Sequence, residues 1–279
     1  MSQPSPKVIA EDNDLKERVR VFWQTHPCGT KFSDAEMGTP EFFERVEAHR
    51  YTKEWHIPEA ADFAGARGSS ILEIGCGMGT HAAMLARNGA RLTAIDLTEK
   101  AVETTKCRFQ MFGLEGDIRR ADAERLAFAD HSFDFVWSWG VIHHSSSTEA
   151  IVAEITRVLR PGGKLMIMVY YKPSLVYYVH VGLIRGVLLG KLLRHSVQDI
   201  YTAASDGFYA RVFTKKELRA VIGPEYTNIR TTVVGLKPEL YPIPRTYLKE
   251  QVERFTPDWL ASAILSWCGS MIVVEAEKS

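Results

Sequence analysis

An apolar run that ends abruptly in alternating glycines permits few folds, and this chain has one: S-I-L-E-I-G-C-G-M-G-T, from Ser70 to Thr80. Ile71, Leu72 and Ile74 read as a short buried strand, Gly75, Gly77 and Gly79 as a turn, and the pattern from Thr80 as a helix over 80–88. Glycine lets backbone approach a ligand closely, and a helix N-terminus offers unpaired N–H donors. Strand, turn and helix in this order therefore make a ligand-binding device. The dinucleotide fingerprint wants a third glycine three positions after Gly77. Thr80 stands there, which argues against NAD.

With Glu73 included, the stretch reads E-x-G-C-G-x-G, which resembles the first motif of class I S-adenosylmethionine (SAM) dependent methyltransferases. Further features resemble that family in the same chain order. Asp96 closes a second predicted strand, 91–95, and Asp122-Ala123 follows a third, 117–121. A fourth, 133–138, leads into W-G-V-I-H-H from Trp139 to His144, in the manner of the type-11 branch. An L-R-P-G-G turn then precedes a nearly all-apolar strand, 164–171. The resemblance implies an α/β, Rossmann-like fold with a seven-stranded mixed sheet and helices on both faces. It implies SAM as cofactor, with S-adenosylhomocysteine as product. Glu73, Gly75, Cys76, Gly77 and Gly79 would meet its methionine part, with Glu73 steering the loop. Asp96 and Leu97 would meet the ribose, Asp122 and Ala123 the adenine, and Trp139 the same pocket, which Tyr51 would cap unless it packs onto the core instead.

The residues themselves carry part of this. An acidic group about 20 positions beyond a glycine loop is where nucleotide folds hold ribose, and a carboxylate accepts both hydroxyl protons. The competing reading of Asp96 is a cap for the helix 98–112. Asp122, without the family, is a helix cap. His143 or His144 would deprotonate or orient an acceptor, since imidazole titrates near neutral pH, and a structural pair bonded to carbonyls is the alternative. His143 is the first candidate base. Tyr170 emerges at the end of the strand 164–171 beside Tyr171 and Lys172, and is taken as an acceptor contact. Adjacent histidines without further ligands do not make a metal site.

Around this core (67–174) the chain carries additions. Residues 1–66 read as a polar tail over 1–14 and two helices. The first is capped by Asn13 or Asp14 and carries Leu15, Val19, Phe22 and Trp23. The second starts at Thr39-Pro40 and runs past Tyr51 and Trp55 to Pro58. Cys28 in the intervening turn reads as a buried structural cysteine rather than half of a Cys–His pair. Residues 175–225 read as a helical cap: an apolar helix over 175–193 with glycines four apart, a polar loop over 199–213 holding Asp206-Gly207 and Arg211, and a capping box at Thr214–Glu217. A sixth strand (228–234), helices over 244–255 and 257–268 and a last antiparallel strand (270–276) complete the sheet within 226–279.

The 279 residues hold 34 Lys+Arg against 34 Asp+Glu, so no global field favours nucleic acid. Four scattered cysteines and no leader suggest a reducing cytoplasm. His180, Arg185 and Lys191 argue against a span through 175–193, which leaves contact with a membrane or lipid-like substrate as the lesser alternative. The expected function is methyl transfer from SAM to a small or medium apolar metabolite or peptide, by a monomer or homodimer. Methylation of tRNA or protein, and a non-catalytic SAM-binding regulator, are the alternatives.

Overall fold

The computed structural model describes residues 6–57, 66–205, 207–242 and 246–279, with side chains from 14 onward. The first part of the tail (1–5), Asp206, Pro58 and Pro244 lie outside the described residues; the helix expected to run past Trp55 ends at Lys53, and the one expected over 244–255 starts at Tyr247.

Seven strands form one sheet: β1 (Ser70–Ile74), β2 (Arg91–Asp96), β3 (Asp117–Arg120), β4 (Phe133–Trp139), β5 (Leu159–Tyr170), β6 (Tyr226–Val234) and β7 (Met271–Lys278). Their spatial order is β3-β2-β1-β4-β5-β7-β6. β1 to β5 pair in parallel, and β7 lies antiparallel between β5 and β6. This is the Rossmann-like mixed sheet the sequence implied. Strand order reverses between β1 and β4, so the connections leaving their carboxyl ends diverge and open a crevice there.

Alternation along β1 sorts its side chains to the two faces. Leu72 and Ile74 join a core with Ile151, Ile155 and Val158 of helix α5 (Thr148–Val158) and Leu218 of α7 (Lys215–Ile222). Ile71 joins the opposite core with Leu85 of α3 (Thr80–Arg87) and Val102 and Phe109 of α4 (Glu99–Met111). On that second side, Phe42, Phe43 and Val46 of α2 (Pro40–Lys53) pack on Met78 of the glycine turn. Thr39 caps α2 as expected, its hydroxyl accepting from the Phe42 N–H at 3.2 Å. Burial here contributes about 1.5–3 kcal/mol for each large apolar side chain, so the extension is a packed part of the fold.

Several elements depart from expectation. α1 spans Pro6–Thr25, so residues from Pro6 are helical rather than tail, and Asn13 and Asp14 do not start the helix. α5 stops at Val158, directly before the L-R-P-G-G turn. Leu159 is extended (φ −69°, ψ 139°) and pairs with Phe133, and Pro161-Gly162-Gly163 bulges before Lys164 resumes the ladder on Phe135. The apolar stretch 175–193 is wound as a π-helix over Val176–Leu188, ended by left-handed Gly190 (φ +68°) and a 3-10 turn, Lys191–Leu193. Within 199–213, expected as loop, α6 (Val197–Thr202) carries its own capping box of Ser196 and Asp199. The Thr214–Glu217 box appears as expected at α7. α8 (Tyr247–Phe255) and α9 (Asp258–Cys268) precede β7.

Candidate active site

The glycine turn is held from below, and its amides face inward. Gly75, Gly77 and Gly79 all take positive φ (+82°, +53°, +70°), where glycine alone is unstrained. The Gly75 and Cys76 N–H groups both donate to the Ile95 carbonyl, at 2.8 and 3.0 Å, and Gly79 donates to the Cys76 carbonyl. Gly77 donates to Asp96 Oδ2 at 3.1 Å. The amides of Gly75, Cys76, Gly77 and Gly79 are therefore spent within the protein. What remains is a glycine shelf: no atom lies within 4 Å of where a Cβ on Gly77 would stand. Such a shelf permits close approach but offers a phosphate few donors.

Asp96 ties the turn to the next helix. Its Oδ1 accepts from the Thr98 N–H (2.9 Å) and hydroxyl (2.8 Å), so it serves helix α4 and the glycine turn together. Three hydrogen bonds fill most of the roughly four lone-pair sites of a carboxylate. Burial pushes its pKa up against these stabilising bonds.

Asp122 accepts from the Glu124 N–H at 2.9 Å and from Lys16 Nζ at 2.9 Å. Lys16, on α1, also pairs with Glu124. Glu124 in turn accepts from the Ser145 and Ser146 hydroxyls, at 2.5 and 2.8 Å. Burial works against the Lys16 charge, but Glu124 and Asp122 outweigh it and raise its pKa. One lysine of the extension thus fastens α1 across the ends of β3 and β4.

These groups border a cavity of about 530 Å³, within the usual range for small-molecule sites. Gly75 to Met78, Asp96, Leu97, Asp122 and Ala123 line one end. Trp23, Trp139, Met168, Tyr170, Val176 and Tyr201 make an apolar, aromatic wall on which His144 also lies.

The two histidines part company. His143 is fully buried, absent from the cavity wall, and neither ring nitrogen has a hydrogen-bond partner among the described residues. Its ring lies 4.0 Å from Tyr170 and 4.2 Å from His144, and burial drives its pKa well below the usual value. The preferred base is therefore not at the cavity. His144 is: its Nδ1 lies 2.5 Å from the Tyr209 carbonyl, which only accepts, so Nδ1 carries the proton. Trp23 stands edge-on to its ring at 5.2 Å, and a side chain at Gly207 would collide with it. The 3-10 turn at Ile142–His144 points neighbouring side chains in different directions.

Of the tyrosines at the end of β5, Tyr170 is on the wall and Tyr171 is buried in the core. Trp139 lines the cavity and donates Nε1 to Glu54 Oε2 at 2.8 Å, while Glu54 pairs with wall residue Arg50. Tyr51, Glu73 and Gly79 are absent from the lining. Tyr51 packs with Ile57, Trp137 and Trp139. Glu73 sits 3.8 Å from His81 Nδ1, and burial, then the Asp96 charge, push its pKa far up. Arg211 is drawn away by a two-pronged pair with Glu149 (2.9 and 3.0 Å). Cys28, expected buried, is exposed at the cavity wall. Cys76 is buried with its thiol pKa well raised, which makes it an unreactive lining group.

A methyltransferase-domain family model matches residues 72–167, the span that holds the turn, Asp96, Asp122 and both histidines. The chain carries a class I, type-11 methyltransferase domain. It is 37% identical over 101 residues to 27-O-demethylrifamycin SV methyltransferase of Amycolatopsis mediterranei, covering 35% of this chain and 37% of that one. It is 36% identical over 132 residues to a fatty-acid O-methyltransferase of Mycolicibacterium smegmatis, covering 47% of each. The chain thus spans less than half the length of these curated relatives. A SAM-dependent methyltransferase from Mesorhizobium loti shares the fold, with a TM-score of 0.51 at 16% identity, over 76% of this chain and 92% of that one.

Three residues that brace the cavity were not singled out from sequence, two at the glycine turn and one at the β6–β7 end. Thr105, fully buried on α4, donates its hydroxyl to the Gly77 carbonyl at 3.1 Å, and a Cβ on Gly79 would press on it. Arg108, also fully buried, reaches Thr80 Oγ1 at 3.1 Å and pairs with Glu47 of α2. Glu239, past β6, accepts from the Leu236 N–H and from both the N–H and the hydroxyl of Ser270. Leu236 and Ser270 lie on the cavity wall.

Burial pushes the Glu239 pKa from 4.5 up to about 7. A carboxyl whose pKa is raised by folding adds stability that is complete below 4.5 and is lost as pH rises through about 7. At about 1.4 kcal/mol per pH unit, the interval sets the loss at about 3 kcal/mol. Urea unfolding across that interval is expected to show this slope, and Glu239→Gln to flatten it. An equal slope in the variant would assign the dependence to other groups.

Proposed function

We propose that this protein transfers the methyl group of SAM to an oxygen of a small or medium apolar acceptor. The observation that carries the reading is one continuous cavity with two unlike ends: a glycine shelf with two carboxylates, and an aromatic wall bearing His144. The named acceptors of the two relatives, a demethylrifamycin and a fatty acid, are of this class.

SAM, when bound, supplies a methyl group already activated by its sulfonium. The chain's own work is therefore placement and exclusion of water. The shelf at Gly75–Met78 would give the methionine part close backbone contact, Asp96 would accept from a ribose hydroxyl, and Asp122 with Ala123 would meet the adenine edge. α1, held by Lys16, closes the adenine end, and residues 175–225 cap the acceptor end. His144, the histidine on the cavity wall, is the residue assigned to accept a proton from an acceptor hydroxyl.

Methyl-labelled SAM offered with a panel of apolar alcohols, phenols, carboxylic acids and peptides tests the reading. Label on an oxygen of an apolar acceptor is expected. Label only on peptide, RNA or protein, or tight SAM binding without transfer to any fraction of a cell extract, would overturn it. His144→Ala is expected to lower kcat about tenfold or more while SAM affinity stays within about twofold. His143→Ala, off the cavity, should lose stability first. Unchanged turnover in His144→Ala would remove that ring from the chemistry.

A further inference from the structure

The π-helix has two faces. Its winding makes residues four and five apart neighbours. Tyr177, Val181 and Gly186 fall on one face and are buried, with Tyr177 and Val181 packed on Ile200 and Tyr201 of α6. Tyr178, Leu183 and Val187 fall on another and stand in solvent. Beyond them the turn carries Leu188, Leu189 and Leu193, 70, 66 and 89% exposed. Soluble proteins rarely spend so many leucines on solvent in one place.

The charge of this tip has one sign. From Lys172 up to Asp199 there is no acidic residue, while Lys172, Arg185, Lys191 and Arg194 are cationic. Arg185, Lys191 and Arg194 are exposed among the leucines. No helix among the described residues is long and apolar enough to cross a membrane. An apolar tip ringed by cations, too short to span, has the composition of an interfacial anchor. Each cation near an anionic lipid surface adds to its attraction. The same helix begins at Val176 on the cavity wall, so the tip and the acceptor end are two parts of one element.

We propose that the 183–194 tip docks on the surface of an anionic lipid bilayer, with its leucines in the headgroup–acyl boundary and Arg185, Lys191 and Arg194 on the lipid phosphates. The proposal stands on this surface alone and does not require the methyl-transfer reading.

Flotation of the full chain with vesicles tests it. Vesicles of equal parts phosphatidylcholine and phosphatidylglycerol are expected to carry the protein at low salt, at least about tenfold better than phosphatidylcholine alone. The triple variant Arg185→Glu, Lys191→Glu, Arg194→Glu should abolish that preference, and Leu188→Ser with Leu193→Ser should weaken flotation at any salt. All five positions are exposed, so circular dichroism and SAM binding should match the parent. Equal recovery on both vesicles, or no effect of charge reversal, would overturn the proposal. So would a stable dimer in sedimentation that leaves no vesicle binding, since a second copy would then cover the tip.

Discussion

Replacing Gly75 by alanine is expected to destabilise the protein by about 3 kcal/mol and to abolish SAM binding at accessible concentrations. Two costs add. The residue has φ +82°, where a Cβ costs about 1–2 kcal/mol. The new methyl would also overlap the side chain of Val141, which lies over the turn from the end of β4. Overpacking of this kind costs about 1–3 kcal/mol. Val141→Ala in the same chain should return the second part and leave the first, which a double-mutant cycle resolves. Chemical denaturation and calorimetric titration with SAM are the measurements. A Gly75→Ala protein of parental stability would mean that the turn and the post-β4 loop do not touch as described.

Asp96→Ala is expected to weaken SAM binding by about tenfold to a hundredfold, the scale of a hydrogen bond to a charged group. Stability should fall by about 1 kcal/mol or more, because the substitution also strips acceptors from Gly77 and Thr98. Asp96→Asn separates the two effects. Its carbonyl oxygen can keep Thr98, but its amide would then face the Gly77 N–H as a second donor. The asparagine variant should therefore lose stability through the turn while the helix cap persists. Unchanged SAM affinity in both variants would leave Asp96 a purely structural cap, the competing reading its position always allowed.

The frame of this protein was readable because short-range rules decide it. Alternating glycines after an apolar run, an acid at the end of the next strand and P-G-G before an all-apolar strand each have few local solutions. What was not readable depends on direction or on distant partners. Nothing in H-H tells which ring meets the cavity; the geometry of one short turn gives that place to His144 and buries His143. Thr105 and Arg108 look like ordinary positions on an amphipathic helix, and their work exists only because α4 packs beneath the glycine turn. Lys16 matters through partners 106 and 108 positions away. The π-winding of the apolar stretch leaves no mark in hydropathy, since residues four apart share a face in either helix type.

The inward-facing amides of the glycine turn bear on a problem of competition. Living cells are crowded with adenine nucleotides, which share the adenosine half of SAM and outnumber most other ligands that carry it. A turn that aimed its N–H groups outward would welcome their phosphates. This one has committed those donors to the Ile95 carbonyl and to Asp96. A nucleotide entering here would have to shed the water around its phosphates and recover little in exchange. The donors of Gly75, Cys76 and Gly77 thus shape the pocket by being taken, and a phosphate there would find fewer of them than the glycine count suggests.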